Sequence, residues 1–115
     1  MSTDLHPVLS IRLFRDDKCY GTGIHQLLTL VDEHHSLRAA AQAMGMAYSK
    51  AWTIVRRCEA ELQFPLLHST TGGKHGGGAS LTPEARTIMA AYDRYCTRLR
   101  QAAEDLFREE FQAYL

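Results

Sequence analysis

At 115 residues, 45% of them hydrophobic and 23% charged, the chain has material for one globular domain with a modest core and none to spare for a second. Its 13 basic and 13 acidic side chains cancel, so total charge alone argues against a polyanionic partner and any case for one must rest on how the charge is distributed. No run reaches the roughly 18 apolar residues of a membrane span, and the opening MSTDLHPV lacks the basic and apolar segments of a signal peptide, so no membrane association and a cytoplasmic location are expected.

Residues 1 to 7 read as a frayed tail. From Val8 to Phe14 the pattern alternates, with Leu9, Ile11 and Leu13 on one face and Val8, Ser10, Arg12 and Phe14 on the other, which predicts a strand. The polar piece Arg15 to Gly23 reads as the turn that ends it. Ile24, Leu27, Leu28 and Val31 then recur at i, i+3, i+4 and i+7, the signature of a helix with one apolar face, stopping between Glu33 and His35. Ser36 is placed to cap a second helix, because its hydroxyl can accept from a free first-turn amide. Leu37 to Met44 is rich in alanine, the strongest helix former, and its small side chains permit close packing. Gly45 supplies the left-handed backbone of a short interhelical turn. A third helix is expected over about Tyr48 to Leu62, with Ala51, Val55, Cys58 and Leu62 buried. By elimination Tyr48, Ser49, Trp52, Thr53 and Arg56 lie on or near its other side. Trp52 is either exposed there or partly buried against the second helix; a large aromatic left in water marks a contact surface.

Pro65 is expected to end the third helix. Leu66 to Thr70 and Ala79 to Thr82 then read as two arms of a hairpin around Thr71 to Gly78, a tip whose glycines let backbone amides approach phosphates while Lys74 adds charge. Thr82, Pro83 and Glu84 are a helix cap, a first-turn proline and an acid at the positive end of the dipole. No glycine or proline follows to Leu115, so one helix of about 48 Å is expected at 1.5 Å per residue. Along it Ile88, Tyr92, Tyr95, Leu99, Ala102 and Leu106 form a heptad seam, longer than the preceding residues can cover, which predicts dimerisation.

The order of elements is that of a winged helix-turn-helix: mainly α with a small β component, residues 1–82 carrying the N-terminal strand and the reading head, and residues 83–115 a long C-terminal dimerisation helix of the same structural domain. Charge follows this division. Ser36 to Ser80 carries five basic residues (Arg38, Lys50, Arg56, Arg57, Lys74) against Glu59 and Glu61, a balance of +3, whereas Glu84 to Leu115 carries −1.

Other chemistries fit less well. A nucleotide phosphate loop needs glycine where His68 stands and serine or threonine where His75 stands. Cys19, Cys58 and Cys96 are odd in number and without a CxxC pair, so they are expected to be reduced, with Cys58 and Cys96 in or near the core. His34 and His35 are adjacent and point in different directions, so a metal site is not expected. The carboxylate pairs Asp16-Asp17, Asp32-Glu33, Glu104-Asp105 and Glu109-Glu110 read as solvated helix or turn positions, and no nucleophile sits with a base, so the chain is not expected to be an enzyme.

The run SLRAAAQAMGMAYSKAW, followed by TTGGKHGGGASLTPEA, resembles the N-terminal DNA-binding domain of the ModE family of molybdate-dependent transcriptional regulators, and more broadly the LysR-type winged helix. The likeness covers about residues 8 to 108 and is most specific at Tyr48 to Trp52 and Thr71 to Ala79. It implies a homodimer, formed by the last helix and the N-terminal region, that binds double-stranded DNA with the third helix in the major groove and the wing on the backbone or minor groove. Carried over, Tyr48, Ser49, Lys50, Trp52, Thr53 and Arg56 face the groove, and Thr71, Gly72, Gly73, Lys74, Gly76, Gly77 and Gly78 are wing contacts. The sequence departs from the family at Ala47, where a serine cap is common, at His75, where glycine is common, and beyond Leu115, where the molybdate-binding region would follow; molybdate is therefore not expected to bind this chain, and no cofactor is expected. The rival reading is a dimeric winged-helix module that docks another protein and has no affinity for DNA.

Overall fold

Helix α1 (Thr22–His34) is the element the others pack on, because Ile24, Leu27, Leu28 and Val31 turn one continuous apolar stripe inward. All four are buried, each stabilising the fold by roughly 1.5–3 kcal/mol relative to exposure. The structure is a computed structural model that describes residues 4–70 and 78–115.

Ahead of α1 stands a small antiparallel ribbon, β1 (Leu13–Phe14) and β2 (Lys18–Tyr20), with Leu13 opposite Tyr20 and a register break at Phe14. The strand expected over Val8 to Phe14 is therefore confined to its last two residues, although Ile11 and Leu13 do lean on the core as the alternation required. The segment read as a turn supplies β2. Its Tyr20 is fully buried beneath α1.

Helix α2 (Leu37–Ala43) begins as its sequence dictates, Ser36 Oγ accepting from the Ala39 amide at 3.0 Å. Gly45 then takes φ +68°, the left-handed geometry a side chain resists, and turns the chain into α3. Helix α3 (Tyr48–Leu62) buries Ala51, Val55 and Cys58 and half-buries Leu62, and its start at Ala47 has no side-chain cap. It ends before Pro65. Gln63 adopts φ +67° and donates its amide to the Glu59 carbonyl, closing the helix two residues earlier than proline would.

Strands β3 (Leu67–Thr70) and β4 (Gly78–Leu81) pair antiparallel, Leu67 facing Leu81 and Thr70 facing Gly78. The Ala79 amide donates to the His35 carbonyl, fastening the hairpin to the end of α1. Thr82, fully buried, donates its hydroxyl to the Pro65 carbonyl and accepts from the Ala85 amide, so one side chain both ties down the strand and caps the next helix. Helix α4 (Pro83–Glu110) runs 28 residues, about 42 Å. It stops short of the expected Leu115 end, where Phe111 stacks back on Phe107 at 5.2 Å and a 3-10 turn (Gln112–Tyr114) follows. The α4 rod makes the molecule elongated, 61 × 33 × 21 Å.

Candidate nucleic-acid interface

The outer surface of α3 follows from its inner one. At about 100° per residue, with Ala51, Val55 and Cys58 inward, Ser49, Thr53 and Arg56 point straight away from the core. Tyr48, Trp52 and Glu59 lie on one flank, and Lys50 and Arg57 on the other. Tyr48, Ser49, Lys50, Trp52, Thr53 and Arg56 are all exposed, the two aromatics at 39% and 47%. The six residues expected on this face are therefore on one accessible surface. Trp52 is on the outside, the first of the two alternatives its position left open.

This surface is organised side chain by side chain. The Arg38 guanidinium of α2 lies over the Tyr48 ring at 4.3 Å, and that of Arg56 over the Trp52 ring at 5.2 Å. Arg56 also donates to Glu59 Oε1 at 3.0 Å. The other oxygen of Glu59 accepts from the Leu66 amide at 2.7 Å and the Leu67 amide at 3.4 Å, so a carboxylate only 10% exposed pins α3 to the start of β3 and fixes Arg56 in place. Thr53 donates its hydroxyl to the Ser49 carbonyl, which leaves its oxygen lone pairs and methyl group free to meet base edges.

On the opposite flank Arg57 pairs with Asp17 in the β1–β2 turn at 3.1 Å. The Lys18 amide and then the Arg57 guanidinium hold the Asp17 carboxyl below the usual range. Asp32 likewise receives two hydrogen bonds from Arg86, which lower its pKa and join α1 to α4. Asp17 and Asp32 are solvated, as read from sequence, and each is in addition paired with an arginine, Asp17 with Arg57 and Asp32 with Arg86. Long-range pairs of this kind leave no local signal.

Of the wing, only Gly78 belongs to the described residues, as the first residue of β4; Thr71, Gly72, Gly73, Lys74, Gly76 and Gly77 lie outside them.

The α4 seam divides in two. Ile88 packs on the protomer's own core, and Tyr92 is 6% exposed, its hydroxyl donating to the Ile11 carbonyl at 2.6 Å. Farther along, Tyr95 is 50% and Leu106 58% exposed, Ala102 is exposed and Leu99 half-buried. Beside this distal part Pro7, Val8 and Leu9 line a shallow groove with Arg100 and Glu104. Around Tyr92 stands a polar cluster that has no local signal in the sequence. The Tyr20 hydroxyl meets His25 Nδ1 at 2.7 Å and His25 Nε2 meets Asp93 at 2.7 Å, linking β2, α1 and α4. Because the carboxylate can only accept, Nε2 carries the proton; in the neutral ring the Tyr20 hydroxyl then donates to Nδ1. Burial raises the Tyr20 pKa, keeping that hydroxyl protonated.

All three cysteines are free and buried, and burial pushes the Cys58 thiol up to about 11. Among the described residues no three metal-ligating side chains gather, and no helix is long and apolar enough to cross a membrane.

The chain is similar to a molybdenum-pterin-binding protein, MopB, of Rhodobacter capsulatus, 39% identical over 66 residues, covering 57% of this chain and 24% of that protein. It is similar to a transcriptional regulator ModE of Yersinia pestis, 29% identical over 102 residues, covering 89% of this chain and 36% of the regulator. A molybdenum transport protein ModE of Herbaspirillum seropedicae is 32% identical over 84 residues, 73% of this chain and 30% of its own. The chain therefore spans about a quarter to a third of the length of these curated relatives. Residues 25–86, more than half the chain, match the bacterial regulatory helix-turn-helix proteins of the lysR type, a stretch that contains α2, the Gly45 turn and α3. The chain belongs to the lysR family of bacterial regulatory helix-turn-helix proteins.

Proposed function

We propose that this chain is a cytoplasmic transcriptional regulator that binds double-stranded DNA as a homodimer, with α3 in the major groove and the Thr71 to Gly78 wing on the adjacent backbone. The observation that carries the reading is the outer face of α3, where Tyr48, Ser49, Lys50, Trp52, Thr53 and Arg56 stand together in solvent on a helix whose other side is sealed in the core. Aromatic, hydroxyl and cationic groups on one rigid helix are what base edges and phosphates require. The relatives named as transcriptional regulators support it, as does the +3 balance of residues 36–80.

The two-fold partner would meet the distal half of α4, where Tyr95, Leu99, Ala102 and Leu106 continue the seam past the point at which Ile88 and Tyr92 are used internally, with the N-terminal segment at Val8 and Leu9 alongside. Such a dimer addresses two half-sites on successive turns of a roughly palindromic operator. Within this reading molybdate has no site on these residues.

Selection of bound duplexes from a random pool, followed by gel shifts at increasing salt, tests the proposal. Arg56→Ala is expected to weaken binding to all sequences and flatten the salt dependence, while substitutions at Thr53 change which sequence is preferred. An Arg56→Ala protein with unchanged affinity and salt slope would count against it. Absence of binding even at low salt would favour the protein-docking alternative.

A further inference from the structure

The cations of the reading head are not equally available. Arg56 is bridged to Glu59 and Arg57 to Asp17, so each carries a carboxylate partner on the same surface. Arg38 has no carboxylate partner among the described residues. It projects from the exposed side of α2, and its guanidinium is stacked on Tyr48, the first residue of α3. The ring itself is 39% exposed, so the stack sits at the surface rather than in the core.

That arrangement suits a phosphate. In a helix-turn-helix the first helix crosses the DNA backbone while the second enters the groove, and α2 is that first helix. A long arginine side chain normally loses rotamer freedom when it binds. Here the aromatic face already restrains it, and the planar guanidinium keeps its edge donors free for a phosphate while its face lies on the ring. Tyr48 then differs in role from Thr53: it belongs to the flank of α3, and its ring is occupied by a cation instead of being offered to a base.

We propose that Arg38 is a DNA phosphate-binding residue lying outside the recognition helix, and that Tyr48 is the platform that holds it in position. The proposal rests on the DNA-binding reading above and adds to it a contact on α2 and a positioning role on α3. Because a phosphate contact carries no sequence information, Arg38 contributes equally to every duplex, whereas its loss removes one released counterion.

The experiment is a double-mutant cycle on Arg38→Ala and Tyr48→Ala, read as affinity against salt for a selected duplex and for a scrambled one, with thermal midpoints recorded for each variant. Arg38→Ala is expected to weaken both duplexes by the same factor and to reduce the slope of log affinity against log salt by about 0.9. The double variant is expected to lose much less than the product of the two single losses, since without its platform Arg38 already contributes little. Arg38→Gln provides a second charge-removing variant should the alanine protein fold poorly, and Arg38→Lys is expected to retain the slope while losing affinity. An Arg38→Ala slope equal to that of the parent protein overturns the phosphate contact, and strictly multiplicative losses overturn the platform; both leave the DNA-binding reading intact. A parent protein that binds neither duplex at low salt defeats that reading itself.

Discussion

Helix α3 and the distal half of α4 both leave large side chains in water, and the difference between them lies in what surrounds those side chains. On α3, Tyr48 and Trp52 are each covered on one face by a guanidinium, and Lys50, Arg56 and Arg57 share the helix with the hydroxyls of Ser49 and Thr53 and with Glu59 and Glu61. On distal α4, Tyr95 and Leu106 sit among residues of both signs, Arg98, Arg100, Glu104, Asp105 and Arg108, with Arg108 paired to Glu104 at 3.5 Å. In the proposed reading the first setting, cation-covered aromatics beside hydroxyls, meets a polyanion, and the second, Tyr95 and Leu106 left bare, meets a copy of itself. Neither exposure nor net charge separates them, since residues 48–62 and 98–108 both carry three cations against two acids; the guanidinium groups laid over Tyr48 and Trp52 do.

Two substitutions break the comparison at its two ends. Leu106→Glu places a carboxylate at the distal end of the proposed seam, and sedimentation is expected to show a monomer, at a cost of about 3 kcal/mol or more in dimer affinity. The fold and the α3 surface should survive it, so any remaining DNA binding would come from one head at a time. Glu59→Ala acts on α3 instead. It removes the acceptor shared by the Leu66 and Leu67 amides and the anchor of Arg56, and is expected to lower stability by about 2 kcal/mol in urea. The oligomeric state should not change.

Much of this architecture was legible in the residues. The apolar stripes of α1 and α3, the caps at Ser36 and Thr82 and the glycine turn at Gly45 are local features, each specified within one or two helical turns, and each stands where its pattern placed it. The outward set on α3 follows from the same period. What the chain concealed is non-local or too short to show a period. Strand β2 spans three residues behind two aspartates, so nothing announced that Tyr20 would be wholly buried. Glu59 reads as an ordinary surface acid until the strand start folds against it. The pairs Arg86 with Asp32 and His25 with Asp93 join residues 54 and 68 positions apart, which only the folded chain brings together. The seam on α4 misled in one respect: Ile88 and Tyr92 fit the heptad, yet the protomer's own core takes both. A heptad pattern records which face is apolar and is silent on whether the same chain or another covers it.

Trp52 is the only tryptophan in the chain and stands on the proposed groove face at 47% exposure, so its fluorescence reports on the central claim without any added label. Titration with a selected duplex at low salt is expected to change its emission and shield it from acrylamide, and both effects should reverse as salt is raised. Binding of the duplex, established independently by gel shift, with Trp52 left as open to acrylamide as in the free protein would contradict the assignment of α3 as the reading helix.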